Sequence, residues 1–171
     1  SSYSMNGRED KYQWAGPYLY SRQMVVVKAE SEIQTLQDLK GKRVAVQATT
    51  KAEDLFLHNI ASDLPQMEQV NCFSTTNELY AALRKNYVDA IAGHEAMLGS
   101  LVQDGKGIYR MLEESPYKSE LGIAFKKETH RELAADLTET LKEMQDEGVT
   151  EEIVTKYGLD ADKILPGGER K

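Results

Sequence analysis

Lys40–Leu57, KGKRVAVQATTKAEDLFL, reads as a tight turn, a short buried strand, a small-residue bend and the start of a helix. Val44–Gln47 alternates β-branched and small residues, which suits a strand covered on both faces rather than one facing water. Ala48-Thr49-Thr50 puts hydroxyls where the helix begins, so Thr49 or Thr50 is its N-cap. The helix is expected over Lys51–Ile60, with Glu53 and Asp54 in the first turn, the favourable end for acidic side chains. A strand running into a helix N-terminus leaves N–H groups pointing out of the carboxyl edge of a sheet. Such an edge suits an anionic group such as a carboxylate. The same residues also fit an ordinary βα turn with a capped helix, and the stretch alone does not choose.

Working outward, Gln23–Lys28 (QMVVVK) predicts a strand, and Ser31–Leu39 a short helix with Ile33, Leu36 and Leu39 at helical spacing. Asp63-Leu64-Pro65 closes the Lys51 helix. Gln69–Phe73 then predicts a strand, Thr76–Lys85 an amphipathic helix and Val88–Ala92 another buried strand. Gly93-His94-Glu95 is a bend before a helix over Ala96–Gln103. Ile108–Leu112 and Leu121–Phe125 are strands, and Glu128–Glu147 is a long helix with Leu133, Leu137, Leu141 and Met144 on one face. Thr150–Tyr157 is a last helix ended by Gly158, and Asp160–Lys171 reads as a polar tail. Ser1–Tyr20 is aromatic, polar and irregular, so the chain reads as beginning within a fold. Strands alternating with helices predict an α/β fold with a mostly parallel sheet.

The 171 residues suit one domain or two small lobes. A net charge of −7 argues against nonspecific nucleic-acid binding, which needs a basic surface. No apolar run is long enough to span a membrane as a helix, and no signal-peptide pattern opens the chain. Cys72, the single cysteine, excludes an internal disulfide and reads as a small buried strand residue. The phosphate loop, dinucleotide, zinc-protease and nucleophile-elbow motifs are all absent. His58, His94 and His130 lie on different elements, so no metal site is expected, and no cofactor. His94 and Glu95 differ from the other ionisable residues. They follow a buried strand at the carboxyl edge that Thr49 and Thr50 also reach, although both also serve simply to start the next helix.

Five segments in order carry a resemblance: YQWAGPYLYSRQMVVVK, LQDLKGKRVAVQATT, ELYAALRKNYVDAIAGHEA, ELGIAFKK and LKEMQDEGVTEEIVTKYG. Together, from about Arg8 to Gly158, they resemble the family 3 extracellular solute-binding proteins, the amino-acid-binding components of bacterial ABC importers. The resemblance implies one complete periplasmic-binding-protein-like lobe over residues 24–118. It implies an incomplete remnant of the second lobe from residues 1–23 and 119–158, with 159–171 as a tail. Family members carry further residues before the position that Ser1 matches, so the chain reads as N-terminally truncated. Two such lobes close over a ligand about a hinge.

Site residues carry over one at a time. Arg8 matches the arginine that grips a ligand α-carboxylate, a role that suits the guanidinium fork. Tyr3 stands at the companion threonine position, with Ser4 beside it to supply a hydroxyl. Thr49 and Thr50 match the turn that meets the same carboxylate, and Gln47 a side-chain contact. The family aspartate that binds the ligand α-amino group falls on His94, so either Glu95 has taken over that contact, the favoured reading, or the ligand is not an ordinary α-amino acid. Trp14 replaces a phenylalanine and reads as packing.

The resemblance therefore implies a noncatalytic, extracytoplasmic binding protein for an amino acid or related small polar solute. Its partners would be the membrane subunits of an ABC transporter, and the truncated chain is expected to self-associate through its uncovered helix face. The sensor domain of a signalling receptor is the alternative. A dehydratase-like enzyme on the same fold would need His94 and Glu95 as its acid–base pair.

Overall fold

The structure is a computed structural model and describes residues 2–60 and 63–167. Its chain falls into two compact units, Arg22–Tyr117 on one hand and Ser1–Ser21 with Lys118–Lys171 on the other.

In the Arg22–Tyr117 unit, β3 (Arg43–Gln47) lies between β4 (Gln69–Phe73) and β5 (Ala90–His94), parallel to both. The second half of β2 (Tyr12–Lys28) is antiparallel to β5, pairing Gln23 with His94 and Val27 with Ala90. β6 (Tyr109–Met111) is antiparallel to β2, so the sheet is mixed around a parallel centre. The expected double-sided core is present. Val25, Val27, Val44, Val46, Ala90 and Ala92 face one way, against Ala52, Leu55 and Phe56 of α1 (Lys51–Phe56). Met24, Val26, Ala45 and Ile91 face the other way. There they meet Leu79 and Leu83 of α2 (Thr76–Arg84) and Leu98 of α3 (Glu95–Asp104).

The two-sided cover follows from chain direction. The connection β3–α1–β4 steps one way across the sheet and β4–α2–β5 steps back past β3. Because parallel crossovers are right-handed, the two helices land on opposite faces. Adjacent strands β3 and β5 are therefore followed by helices on opposite faces, which opens a crevice between their carboxyl ends.

Several expectations change. Ser31–Leu39 is irregular and bent, with only a 3-10 turn at Gln37–Leu39. Polar side chains take the backbone groups a helix would use. The Asp38 carboxylate accepts from the N–H groups of Gln34 and Thr35, Glu114 accepts from Leu36, and Arg110 donates to the carbonyls of Ser31 and Ile33. α1 stops at Phe56 rather than Ile60, and Asn59 has φ 51°, which ends a helix. Cys72 is exposed rather than buried, because β4 is paired to β3 and forms the edge of the parallel set.

In the other unit, β1 (Ser2–Ser4) is antiparallel to β7 (Tyr117–Lys126), and β2 already begins at Tyr12, where loop was expected. The aromatic run of Tyr12–Tyr20 is strand-forming composition, and Gly16 and Pro17 conceal it. Gly16 has φ +111°, and a Cβ there would lie 3.1 Å from the Tyr18 backbone nitrogen, whereas a Cβ at Gly122 would meet the Met5 and Trp14 side chains at 2.7 and 3.0 Å.

α4 (Arg131–Asp146) leaves Leu133 47% exposed, whereas Leu137, Leu141 and Met144 are half-buried, so the face is less bare than expected. α5 (Val149–Lys156) buries Val154 against Ile164 and Leu165. The supposed polar tail thus contains α6 (Ala161–Ile164) and two core residues, and residues 168–171 lie outside the described ones.

Ile91 is fully buried beneath α2 and α3, so Ile91→Ala should destabilise the Arg22–Tyr117 unit by about 3 kcal/mol in urea unfolding. Asp89 takes the Arg43 backbone N–H at 2.9 Å and its Nη2 at 2.7 Å. The Arg43 side-chain bonds hold the carboxyl below its ordinary range. The folded state therefore gains stability from ionised Asp89 above the unfolded carboxylate pKa, and loses it as pH falls through the lower folded value. Asp89→Asn should cost about 1–2 kcal/mol at neutral pH, with the deficit shrinking in acid.

Candidate functional site

The crevice at the carboxyl ends of β3 and β5 is built by three strand–helix steps. After β3, Thr49 takes a left-handed conformation, φ 61°, and its N–H donates to Glu53 Oε2 at 2.6 Å. Thr50 is the N-cap. Its hydroxyl donates to the Gln47 carbonyl at 2.7 Å and accepts the Glu53 N–H at 3.5 Å. After β4, Thr75 and Glu78 form a reciprocal capping box on α2. Gln47 reaches this step, donating from Nε2 to the Ser74 carbonyl and accepting from the Thr76 hydroxyl, each at 3.5 Å.

After β5, His94 is the N-cap of α3, and its Nδ1 accepts the Ala96 N–H at 3.3 Å. A neutral imidazole with Nδ1 accepting carries its proton on Nε2. Burial pushes the His94 pKa below its ordinary value, and the Glu95 carboxylate partly offsets this.

Gln47, Thr49, Thr50 and His94 therefore share one edge. Glu95 does not face it. Its side chain is buried and both oxygens are taken by Arg22, Oε2 by Nε at 2.9 Å and Oε1 by Nη2. The physical reason is that Arg22 begins the buried half of β2 beside the end of β5, and a guanidinium buried there needs a carboxylate. The expectation that Glu95 meets a ligand ammonium is thereby corrected. Arg8 and Ser4 belong to the other unit. Arg8 is exposed in a turn, its carbonyl accepting from Trp14 Nε1 at 3.2 Å, and Ser4 pairs with Leu121 in β1.

Sequence reasoning missed Arg22, Gln23, Lys51 and Tyr117. Gln23 is buried and pairs with His94 across the strands. The Ser115 hydroxyl lies 2.8 Å from the Gln23 carbonyl and 2.9 Å from that of Tyr117, and Lys51 Nζ lies 4.7 Å from the centre of the Tyr117 ring. A lone arginine ahead of the apolar run Met24–Val27 was the available signal. Among the described residues no His, Cys, Asp and Glu cluster could hold a metal, and no helix is long and apolar enough to cross a membrane.

The family model for ABC transporter, phosphonate, periplasmic substrate-binding protein matches residues 13–163. The chain belongs to this family. It is 28% identical over 159 residues to the L-cystine-binding protein TcyJ of Escherichia coli K12, covering 91% of this chain and 58% of the relative. It is 27% identical over 174 residues to the glutamate-binding protein GluB of Corynebacterium glutamicum, covering 96% and 56%. The chain thus spans little more than half the length of these curated relatives. Among solved structures, the cysteine-binding protein of Campylobacter jejuni aligns with TM-score 0.64 at 21% identity, covering 94% of this chain and 65% of that one. That likeness shows the fold, a mixed α/β fold with one open sheet.

An NMR titration should place the His94 midpoint below about 6.5, and Glu95→Gln should lower it further by removing the anion beside it. Because unfolding releases His94 to a higher pKa, its contribution makes the folded state less stable as pH falls from about 6.5 towards the folded midpoint.

Proposed function

We propose that this chain forms part of an extracytoplasmic, noncatalytic solute-binding protein of an ABC importer, taking an amino acid or a related small polar solute. The observation that carries this reading is the crevice between β3 and β5, where Gln47, Thr49, Thr50 and His94 gather at one carboxyl edge. Family membership and the names of the relatives support the transport role. In this reading Thr49, Thr50 and Gln47 are hydrogen-bonding residues for the solute. A binding role also fits the chemistry of the edge, where the Glu95 carboxylate is held by Arg22.

Thermal melts of the chain with L-cystine, L-glutamate and an alkylphosphonate test the reading. A ligand present at a hundred times its Kd stabilises the native state by about 2.7 kcal/mol, which is readily seen as a rise in Tm. Thr50→Val should reduce that rise. Absence of a shift with every solute of these classes would count against solute binding by this chain.

A further inference from the structure

β4 ends the sheet, and among the described residues it pairs with β3 alone. Backbone groups alternate between the two sides of a strand. Arg43 turns its N–H towards β5, donating to Asp89, and Ala48 turns its N–H towards β4, donating to the Phe73 carbonyl at 2.9 Å. With Val46 registered against Cys72, the ladder therefore uses Asn71 and Phe73. The N–H and C=O groups of Val70 and Cys72 point away from the sheet. Glu68, just before the strand, still donates to the Lys42 carbonyl, so the outward-facing run begins at Val70.

Open edges are ordinarily guarded by lysine, proline or a covering element. Gln69–Phe73 holds no charge and no proline, Cys72 is exposed, and α1 lies over β3 and β5. On the α1 face, Phe56, Leu64 and Met67 form a largely apolar groove with Val70, and the Cys72 thiol reaches Glu53 at 3.5 Å. The other face carries Phe73 and the amides of Gln69 and Asn71, joined Nε2 to Oδ1 at 2.7 Å. What the strand presents is symmetric about Asn71. A two-fold axis there sets Val70 of one copy opposite Cys72 of the other, so every outward N–H meets an outward carbonyl. Asn71 then faces Asn71, the grooves flank the seam on one face, and no charged residue of the strand opposes its like.

We propose that β4 is a docking edge for a second copy of this chain, joined antiparallel about Asn71 into one continuous sheet. The seam lies within the Arg22–Tyr117 unit, does not use the face of α4, and is independent of the solute reading.

Sedimentation of the whole chain over a concentration series should show a monomer converting to a species with the mass of two chains. Cys72→Ser should keep that species. Cys72→Pro removes an outward N–H but no bond to β3, and should abolish it. Asn71→Lys sets two ammonium groups face to face on the axis, and Asn71→Glu two carboxylates, so each alone should be monomeric. Mixing these two variants should restore the dimer, because opposite charges then meet. A wild type that stays monomeric overturns the proposal, as does a mixture that fails to pair. A dimer that survives Cys72→Pro and Asn71→Lys joins through another surface, the exposed Leu133 of α4 included, and overturns it too.

Cross-linking tests the register. Residues facing each other in a non-hydrogen-bonded antiparallel pair have Cα atoms about 4.5 Å apart, within the roughly 4.4–6.8 Å that a disulfide spans. In a Cys72→Ser background, Asn71→Cys should therefore give a disulfide-linked dimer on mild oxidation, read on a nonreducing gel. The native Cys72 lies two residues out of register with its copy and should cross-link far more slowly. Cross-linking through Cys72 as fast as through Asn71→Cys overturns the register and the proposal with it. If Cys72→Pro does not fold, the mixed-charge pair and the cross-link still decide.

Discussion

Parallel strands cannot be joined by hairpins, and much of the Arg22–Tyr117 unit follows from that constraint. Each strand of the β5-β3-β4 set must leave its carboxyl end, cross a face of the sheet and return, so the crossovers α1 and α2 begin at one edge. The step out to β4 and the step back to β5 put these helices on opposite faces, which buries Val44, Ala45 and Val46 of β3. The hydrophobic core and the crevice are thus two consequences of one winding. Val44 and Val46 meet α1 while Ala45 meets the other cluster, and the point where cover changes face is where polar side chains gather.

Charge at that edge is arranged by what is buried behind it. A bidentate ion pair held inside a protein is weak evidence for stability, since desolvation offsets most of the attraction, but it fixes where each partner points. Arg22 and Glu95 show this use. The pair joins the residue that begins the buried half of β2 to the first residue of α3, and it turns a carboxylate away from solvent at the place where His94 caps the helix. The same economy appears at β3, where Glu53 serves both as a first-turn acid and as the acceptor for the strained Thr49 N–H.

Departures from local expectation have a common cause. Ser31–Leu39 has helical spacing of apolar residues, but Asp38, Glu114 and Arg110 satisfy its backbone in an irregular form, two of them from far along the chain. Tyr12–Tyr20 looks irregular because Gly16 and Pro17 interrupt it, yet it is strand because its partners are supplied by the Lys118–Lys171 segment and by Thr138, whose hydroxyl accepts the Gly16 N–H at 3.1 Å. Ile164 and Leu165 sit in a stretch of polar neighbours and become core through α5 and Leu19.

What the sequence determined by itself was the set of local signals. The alternation in Val44–Val46, the hydroxyls at Thr49 and Thr50 and the amphipathic spacing of Thr76–Lys85 are short-range chemistry, and each element they announce is present. The sequence also placed His94 at a strand end, because a buried run followed by Gly93 leaves little choice. Only the tertiary structure decided which of two adjacent polar residues faces the crevice. Glu95 is one residue from His94 in the chain, but its orientation depends on Arg22, 73 positions away, and the need of a buried guanidinium for a carboxylate outweighs any local preference.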